Sequence, residues 1–198
     1  MRMTYVVSIL GIACFAVSAF AQSESSLPIG LGVKGGIPLN DAFLVTPTNP
    51  IQYVADTHRY TFGPYVELRL PAGFGFEVDA LYKTYEYRRV VPAATLDQNS
   101  HAWEFPFLIK KRFLPGPVKP YLEGGAAFSH LSIGNVAELS DRNAWGLVVG
   151  GGVDLKLGAL HFTPEIRYTG WTSRHFESPG TLLQSNRNQA AVMLGIGF

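Results

Sequence analysis

Fifteen charged residues sit at alternate positions of short segments, and their types are those of proton paths, pore linings and acid–base pairs. The positives are Lys34, Arg59, Arg69, Lys83, Lys110, Arg112, Lys156 and Arg167; the negatives are Glu67, Glu77, Asp79, Glu104, Glu123, Asp154 and Glu165. An ion-selective pore concentrates one sign of charge at its lining. A nearly balanced set instead suits a narrow interior whose buried ions neutralise one another. The expectation is a lumen charge network of Lys34, Arg59, Glu67, Arg69, Glu77, Asp79, Lys83, Glu104, Lys110, Glu123, Asp154, Lys156, Glu165 and Arg167.

Other chemistry has thinner support. Ser129 and His130 adjoin, but neighbours on a strand point to opposite faces, so they cannot act as a nucleophile–base pair with each other. His130 reads as an interface histidine, and His161 falls beside a short turn. The Gly150-Gly151-Gly152 run is not followed by Lys-Ser/Thr and opens no helix, so it is not a phosphate loop. No His/Asp/Glu spacing suggests a metal site. Cys14 is the sole cysteine and lies in the leader, which leaves the mature chain without a disulfide or thiolate ligand. The expectation is no catalytic residue, cofactor or metal.

These side chains are carried by eight segments of period-2 alternation: 29–37, 58–70, 74–85, 101–113, 119–131, 143–156, 160–171 and 187–198. In the second, Tyr60, Phe62, Pro64, Val66, Leu68 and Leu70 share one face and Arg59, Thr61, Gly63, Tyr65, Glu67 and Arg69 the other, as alternate strand positions require. The last alternates through Val192, Leu194, Ile196 and Phe198 to the chain end. Three connections are short (71–73, 114–118, 157–159) and four are long (40–57, 88–100, 132–142, 172–186), as in outer-membrane barrels with long extracellular loops. In the long first loop, Leu44, Val45, Ile51 and Tyr53 are expected to pack on the barrel mouth. Pro64, Pro106 and Pro164 fall inside strands, where each removes a ladder donor; the sequence offers no reason for them.

The alternation alone fits a soluble barrel or a membrane barrel. Size separates them. An eight-stranded barrel has an interior just wide enough for side chains to fill. The apolar face carries bulky Phe, Leu, Ile, Tyr and Trp, which would overfill it, whereas the polar face carries many of the glycines. Aromatics also gather at both ends of the segments: Tyr60, Tyr82, Trp103, Trp145 and Tyr168 toward the long loops, Phe74, Phe113 and Phe198 toward the short turns. Two girdles with aliphatic residues between them suit the two interfaces of a bilayer.

The start of the chain agrees. Arg2 precedes a mostly apolar stretch from Tyr5 to Phe20, and Ala19-Phe20-Ala21 has the small-x-small form of a cleavage site. Residues 1–21 are expected to be a signal peptide, cleaved to leave 22–198 as one barrel domain. Without Arg2 the chain holds fifteen residues of each sign, which argues against a nucleic-acid partner.

The stretches WEFPFLIKKRF (103–113), KPYLEGGAAFSHL (119–131), FTPEIRYTGW (162–171) and RNQAAVMLGIGF (187–198) resemble the small outer-membrane β-barrel family of porin-like and OmpA- and OmpX-like proteins. The resemblance implies an all-β, eight-stranded antiparallel transmembrane barrel of up-and-down topology in the bacterial outer membrane. It implies outer-membrane lipid and lipopolysaccharide as surroundings, and the barrel-assembly machinery as a partner that reads Val192, Leu194, Ile196 and Phe198. The expected role is a non-enzymatic, monomeric structural or adhesive scaffold displaying extracellular loops. The alternatives are a narrow porin-like pore and, third, a lipid A-modifying enzyme.

Overall fold

The computed structural model describes residues 28–45, 52–55, 60–91, 94–132, 141–177 and 183–198. The expected signal peptide, together with Arg59 and Ile51, lies outside these residues.

The barrel strands are β1 (Ile29–Pro38), β4 (Thr61–Arg69), β5 (Phe74–Asp79) continued by β6 (Leu81–Val91), β7 (Ala94–Arg112), β8 (Val118–Ser132), β9 (Asn143–Leu157), β10 (Leu160–Trp171) and β12 (Asn188–Gly197). Each pairs antiparallel with its neighbours, and β1 pairs with both β4 and β12, so eight strands close on themselves. Three short strands lie outside the cylinder or extend it: β2 (Phe43–Val45), β3 (Gln52–Ala55) and β11 (Leu183–Ser185).

The inside-out pattern is plain. Leu147 is 71% exposed on the outer wall, while Lys110 is 1% and Asp79 0% exposed in the bore. A protein in water does the reverse, because charged side chains are rarely buried without partners. The outer wall is continuous: Val33, Phe62, Val66, Phe76, Ile109, Leu122, Val149, Ile166 and Leu194 all point out. Tyr60, Trp103, Trp145 and Tyr168 ring the long-loop end, and Phe74 and Phe113 the short-turn end. Backbone turns at the short-turn end need left-handed conformations, supplied by Gly73, Gly116, Gly158 and one non-glycine, Ala72 (φ 60°).

The structure accounts for the in-strand prolines. Pairing of β4 with the third barrel strand stops at Tyr65–Asp79 and resumes at Phe62–Tyr82. Pairing of that strand with β7 stops at Val78–Phe107 and resumes at Leu81–Glu104. Pro64 and Pro106 thus flank one interruption at Ala80. The β9–β10 ladder likewise skips Thr163 and Pro164. Each missing donor falls where pairing is interrupted, and the register continues unchanged beyond it. At Ala80 the ladder keeps one bond, from the Ala80 N–H to the Pro64 carbonyl at 2.9 Å.

Two of the expected long loops are partly ordered sheet. Residues 88–91 and 94–100 continue β6 and β7, which pair from Leu81–Glu104 to Val91–Ala94. The β-branched Val90, Val91 and Thr95 favour pairing beyond the apolar belt, where period-2 hydrophobicity no longer marks it. Within 40–57, β2 pairs with β11 and β3 with β6. Phe43, rather than Leu44, is the buried contact; Leu44 is exposed.

Inward glycines set how closely strands and side chains approach. A Cβ on Gly125 would fall deep inside van der Waals contact with the Phe107 carbonyl, whereas one on Gly124 would meet nothing closer than 3.6 Å. Gly125→Val is expected to cost about 1–3 kcal/mol, read as a lower urea midpoint for the barrel in lipid vesicles, with Gly124→Ala close to neutral.

Candidate functional site

Among the described residues, ionisable groups from nearly every barrel strand converge in the bore. Charges spaced two apart, Glu77 with Asp79, Lys110 with Arg112 and Glu165 with Arg167, share a face of one strand and so stack along the bore. Barrel closure then brings together residues far apart in sequence.

Three layers result. At the midlevel, Lys34 on β1 lies 2.7 Å from Glu77, 3.1 Å from Glu165 and 3.7 Å from Asp79. Lys110 on β7 lies 2.7 Å from Glu77, 3.4 Å from Glu123 and 3.8 Å from Glu165. Arg167 on β10 contacts Asp79 at 2.7 Å, Glu165 at 2.7 Å and Glu123 at 3.0 Å. The Tyr121 hydroxyl donates to Glu165 at 2.6 Å, and the Lys110 ammonium lies 4.6 Å from the centre of the Tyr121 ring.

Toward the short-turn end, Arg112 grips Glu67 with two parallel bonds of 2.6 and 2.8 Å and donates to Asp154 at 2.8 Å. His161 lies 2.6 Å from the other Asp154 oxygen. Arg69 lies 3.9 Å from Glu67 and donates to the Phe198 carbonyl at 3.3 Å. Toward the long loops, Lys83 pairs with Glu104 at 2.7 Å and donates to Gln189 at 3.3 Å.

Thus twelve of the fourteen residues expected to form the network are brought into ion pairs. Lys156 is exposed at the short-turn rim and stands apart; its position next to the β9–β10 turn carries it past the packed bore. Arg59 lies outside the described residues. Arg112, His161 and Tyr121 are the additional participants. Arg112 shares the strand parity of Lys110, a signal present in the sequence; nothing in sequence connects Tyr121 to Glu165.

The pairing answers two electrostatic problems. Glu67 and Glu77 stand directly opposite each other on β4 and β5, a destabilising arrangement for like charges. Arg112 takes one and the two lysines take the other. Carboxylate oxygens of Glu77, Glu123 and Glu165 come within 4.8 Å of one another, close enough to hold a metal ion. The Lys110 ammonium already contacts all three, so a protein cation serves there as counter-ion.

The long-loop end holds a pair that adjacency in sequence could not reveal. Ser129 meets not His130 but His175, whose Nε2 lies 2.9 Å from the serine Oγ. His130 is on the outer wall, 2.7 Å from Asn143. The Nδ1 of His175 donates to the Asp141 carbonyl at 2.8 Å, so Nε2 accepts from the serine hydroxyl. The geometry is that of a nucleophile and base, but Ser129 is fully buried.

The residues of the terminal pattern are divided between tasks. Val192, Leu194 and Ile196 face outward from β12, and Phe198 exchanges backbone bonds with Leu31 at the closure seam, at 3.0 and 3.3 Å.

Removing one partner of a buried ion pair leaves an unmatched charge and costs about 3–5 kcal/mol. Lys34→Met is expected to lower barrel stability by that amount in vesicle-based urea unfolding, and Lys156→Met to leave it unchanged.

Residues 20–170 match the family model for the outer membrane protein beta-barrel domain. No curated protein matches the chain. Among solved structures, the outer membrane protein OprG from Pseudomonas aeruginosa is 14% identical and superposes with a TM-score of 0.56, over 86% of this chain and 94% of that one. Neisserial surface protein A is 12% identical with a TM-score of 0.53, over 86% and 96%. At these identities the likeness is one of fold.

Proposed function

The chain belongs to the outer membrane protein beta-barrel domain family and resides in the bacterial outer membrane; within that setting we propose that it is a structural or adhesive scaffold, holding loops at the cell surface on a rigid, filled barrel. The observation that carries this reading is the cross-braced bore. Lys34, Lys110 and Arg167, from three different strands, meet Glu77, Asp79, Glu123 and Glu165 at the midlevel. A solute in transit would have to separate pairs whose desolvated charges then stand unmatched. The cavity above them is about 30 Å³, lined in part by Lys83, Glu104, Thr169 and Gln189, space for a water or two.

A scaffold needs no reacting group, and the buried Ser129–His175 pair fits a structural role. Its surroundings are lipid and lipopolysaccharide at the outer wall. Val192, Leu194 and Ile196 of β12, with Phe198 just beyond it, serve as the signal for the barrel-assembly machinery, the protein acting as a monomer after loss of residues 1–21.

In planar bilayers the purified protein is expected to give no large, stable conductance; reproducible nanosiemens-scale steps would sink the scaffold reading in favour of a pore. In cells, Phe198→Ala is expected to reduce the assembled, heat-modifiable form several-fold, with Leu122→Ala on another strand as a matched control. Equal losses from both would remove the special role of the terminal aromatic.

A further inference from the structure

The long-loop end of the barrel is closed by a lid distinct from the charge network. Residues 172–177, β2 and β11 form it. Phe176 and Ser185 exchange bonds: the Ser185 N–H donates to the Phe176 carbonyl at 3.0 Å, and the Phe176 N–H to the Ser185 hydroxyl at 3.3 Å. β11 pairs with β2, and the Asn186 N–H donates to the Ala42 carbonyl at 2.7 Å. Beneath them Phe43, Phe176 and the inward-facing Tyr85 of β6 pack ring against ring, with centroids 5.4–6.2 Å apart. All three are buried, Phe176 completely.

Thr172 anchors the base of the lid, its N–H and hydroxyl both donating to the Trp145 carbonyl of β9 at 2.8 Å; farther along, His175 ties the lid to the barrel. It is bonded to Ser129 of β8 on one side and to the Asp141 carbonyl on the other, and its own carbonyl accepts from the Asp141 N–H at 3.3 Å. We propose that His175 is a proton-sensitive latch, and that acid on the extracellular side releases the lid and uncovers the Phe43–Tyr85–Phe176 surface. This goes beyond the scaffold reading and does not depend on which partner the loops meet.

The argument is one of donors and burial. Neutral His175 gives one proton to the Asp141 carbonyl and takes one from Ser129. Protonated, it has two donors and no acceptor, so the Ser129 hydroxyl bond is reversed or lost, and a cation is left in a buried site. The groups around it offset only part of the cost of that burial. Lys83 on β6 opposes it; Glu104 on β7 and Asp141 beyond β8 favour it. Arg174 and Glu177 flank it on its own segment and pair with each other at 3.8 Å. Ser129 on β8 and Trp171, whose ring lies 6.4 Å away, are neutral, as are Phe43, Gln184 and Ser185 of the lid strands; Asp41 precedes β2. Burial is the largest influence and holds the imidazole below its ordinary value.

The sign follows. A histidine held neutral when the lid is closed binds its proton more readily when the lid is open. The closed form therefore has its full stability above about pH 6.5, the free imidazole value, and loses it as pH falls. Once below that value the open-to-closed ratio rises up to about tenfold per pH unit. Of the other described histidines, His101 and His130 are exposed on the outer wall and His161 lies at the opposite end of the bore, so none of them reaches the lid.

Hydrogen exchange of the full barrel in lipid vesicles tests this, following the amides of 41–45, 172–177 and 183–185 against those of the β8–β9 core as pH is lowered. The lid amides are expected to lose protection in acid while the core stays protected. His175→Gln, which keeps one donor and one acceptor and cannot titrate, is expected to abolish the pH dependence. Ser129→Ala, which removes the donor to the neutral ring, is expected to move opening to higher pH. Lid protection unchanged from neutral to acid pH, or the same acid transition in His175→Gln, overturns the proposal. If His175→Gln leaves the lid open at every pH, the Ser129→Ala shift decides, and an unshifted transition there also overturns it.

Discussion

The structure depends on one constraint: eight strands enclose a bore that side chains must fill completely, and every ion placed in it must find a counter-ion across the bore. Lipid outside takes the bulky apolar residues, which leaves the interior to polar side chains and to glycine. In a medium of low polarity an unpaired charge is prohibitively costly. The network of Lys34, Lys110 and Arg167 with four carboxylates is therefore the core of this protein, doing with ion pairs what aliphatic packing does in a soluble domain. Charged pairs are directional where apolar contacts are not, so the network also favours one register for each strand, since a one-residue slip would turn its charges into lipid.

Room for that core comes from the smallest residue. Tyr65 of β4 lies over Gly32 of β1 and Gly195 and Gly197 of β12, and the Arg69 guanidinium crosses Gly30 to reach the Phe198 carbonyl. The seam between first and last strands is thus braced from inside by a strand adjacent to it. Gly150 and Gly152 on β9 do the same for Glu123 and Tyr121. The glycine content of the polar face complements large side chains facing it from across or beside the ladder.

Polarity changes along the bore. Its short-turn end and middle are ionic, whereas its long-loop end carries one ion pair, Lys83 with Glu104, and is otherwise lined by Ala102, Leu131, Ala144 and Trp171 and capped by Phe43, Tyr85 and Phe176, all buried. That apolar cap was not legible in sequence. Trp171 and Phe176 stand at and beyond a strand end, where alternation stops carrying information, and Phe43 belongs to a three-residue strand too short for a period to show. The Ser129–His175 contact joins positions forty-six apart, and the local neighbour, His130, points the other way. By contrast, twelve of the charged residues could be assigned to the bore because strand parity alone dictates which face each occupies. Arg112 shared that parity with Lys110; its pair of hydrogen bonds to Glu67 emerges only when β7 and β4 stand on either side of β5.

Period, residue size and the position of aromatics were enough to determine the class of fold, the number of barrel strands and the orientation of each face, since these depend on the two-residue repeat of a strand and on what an eight-stranded bore can hold. Partnership was decided only by the tertiary structure. Which carboxylate meets which cation, where three prolines can interrupt a ladder, and how a loop histidine comes to rest against a barrel serine all depend on closure, which places strands distant in sequence a few ångströms apart. Alternation records the side of a strand on which a residue lies; it carries no record of what stands across the bore.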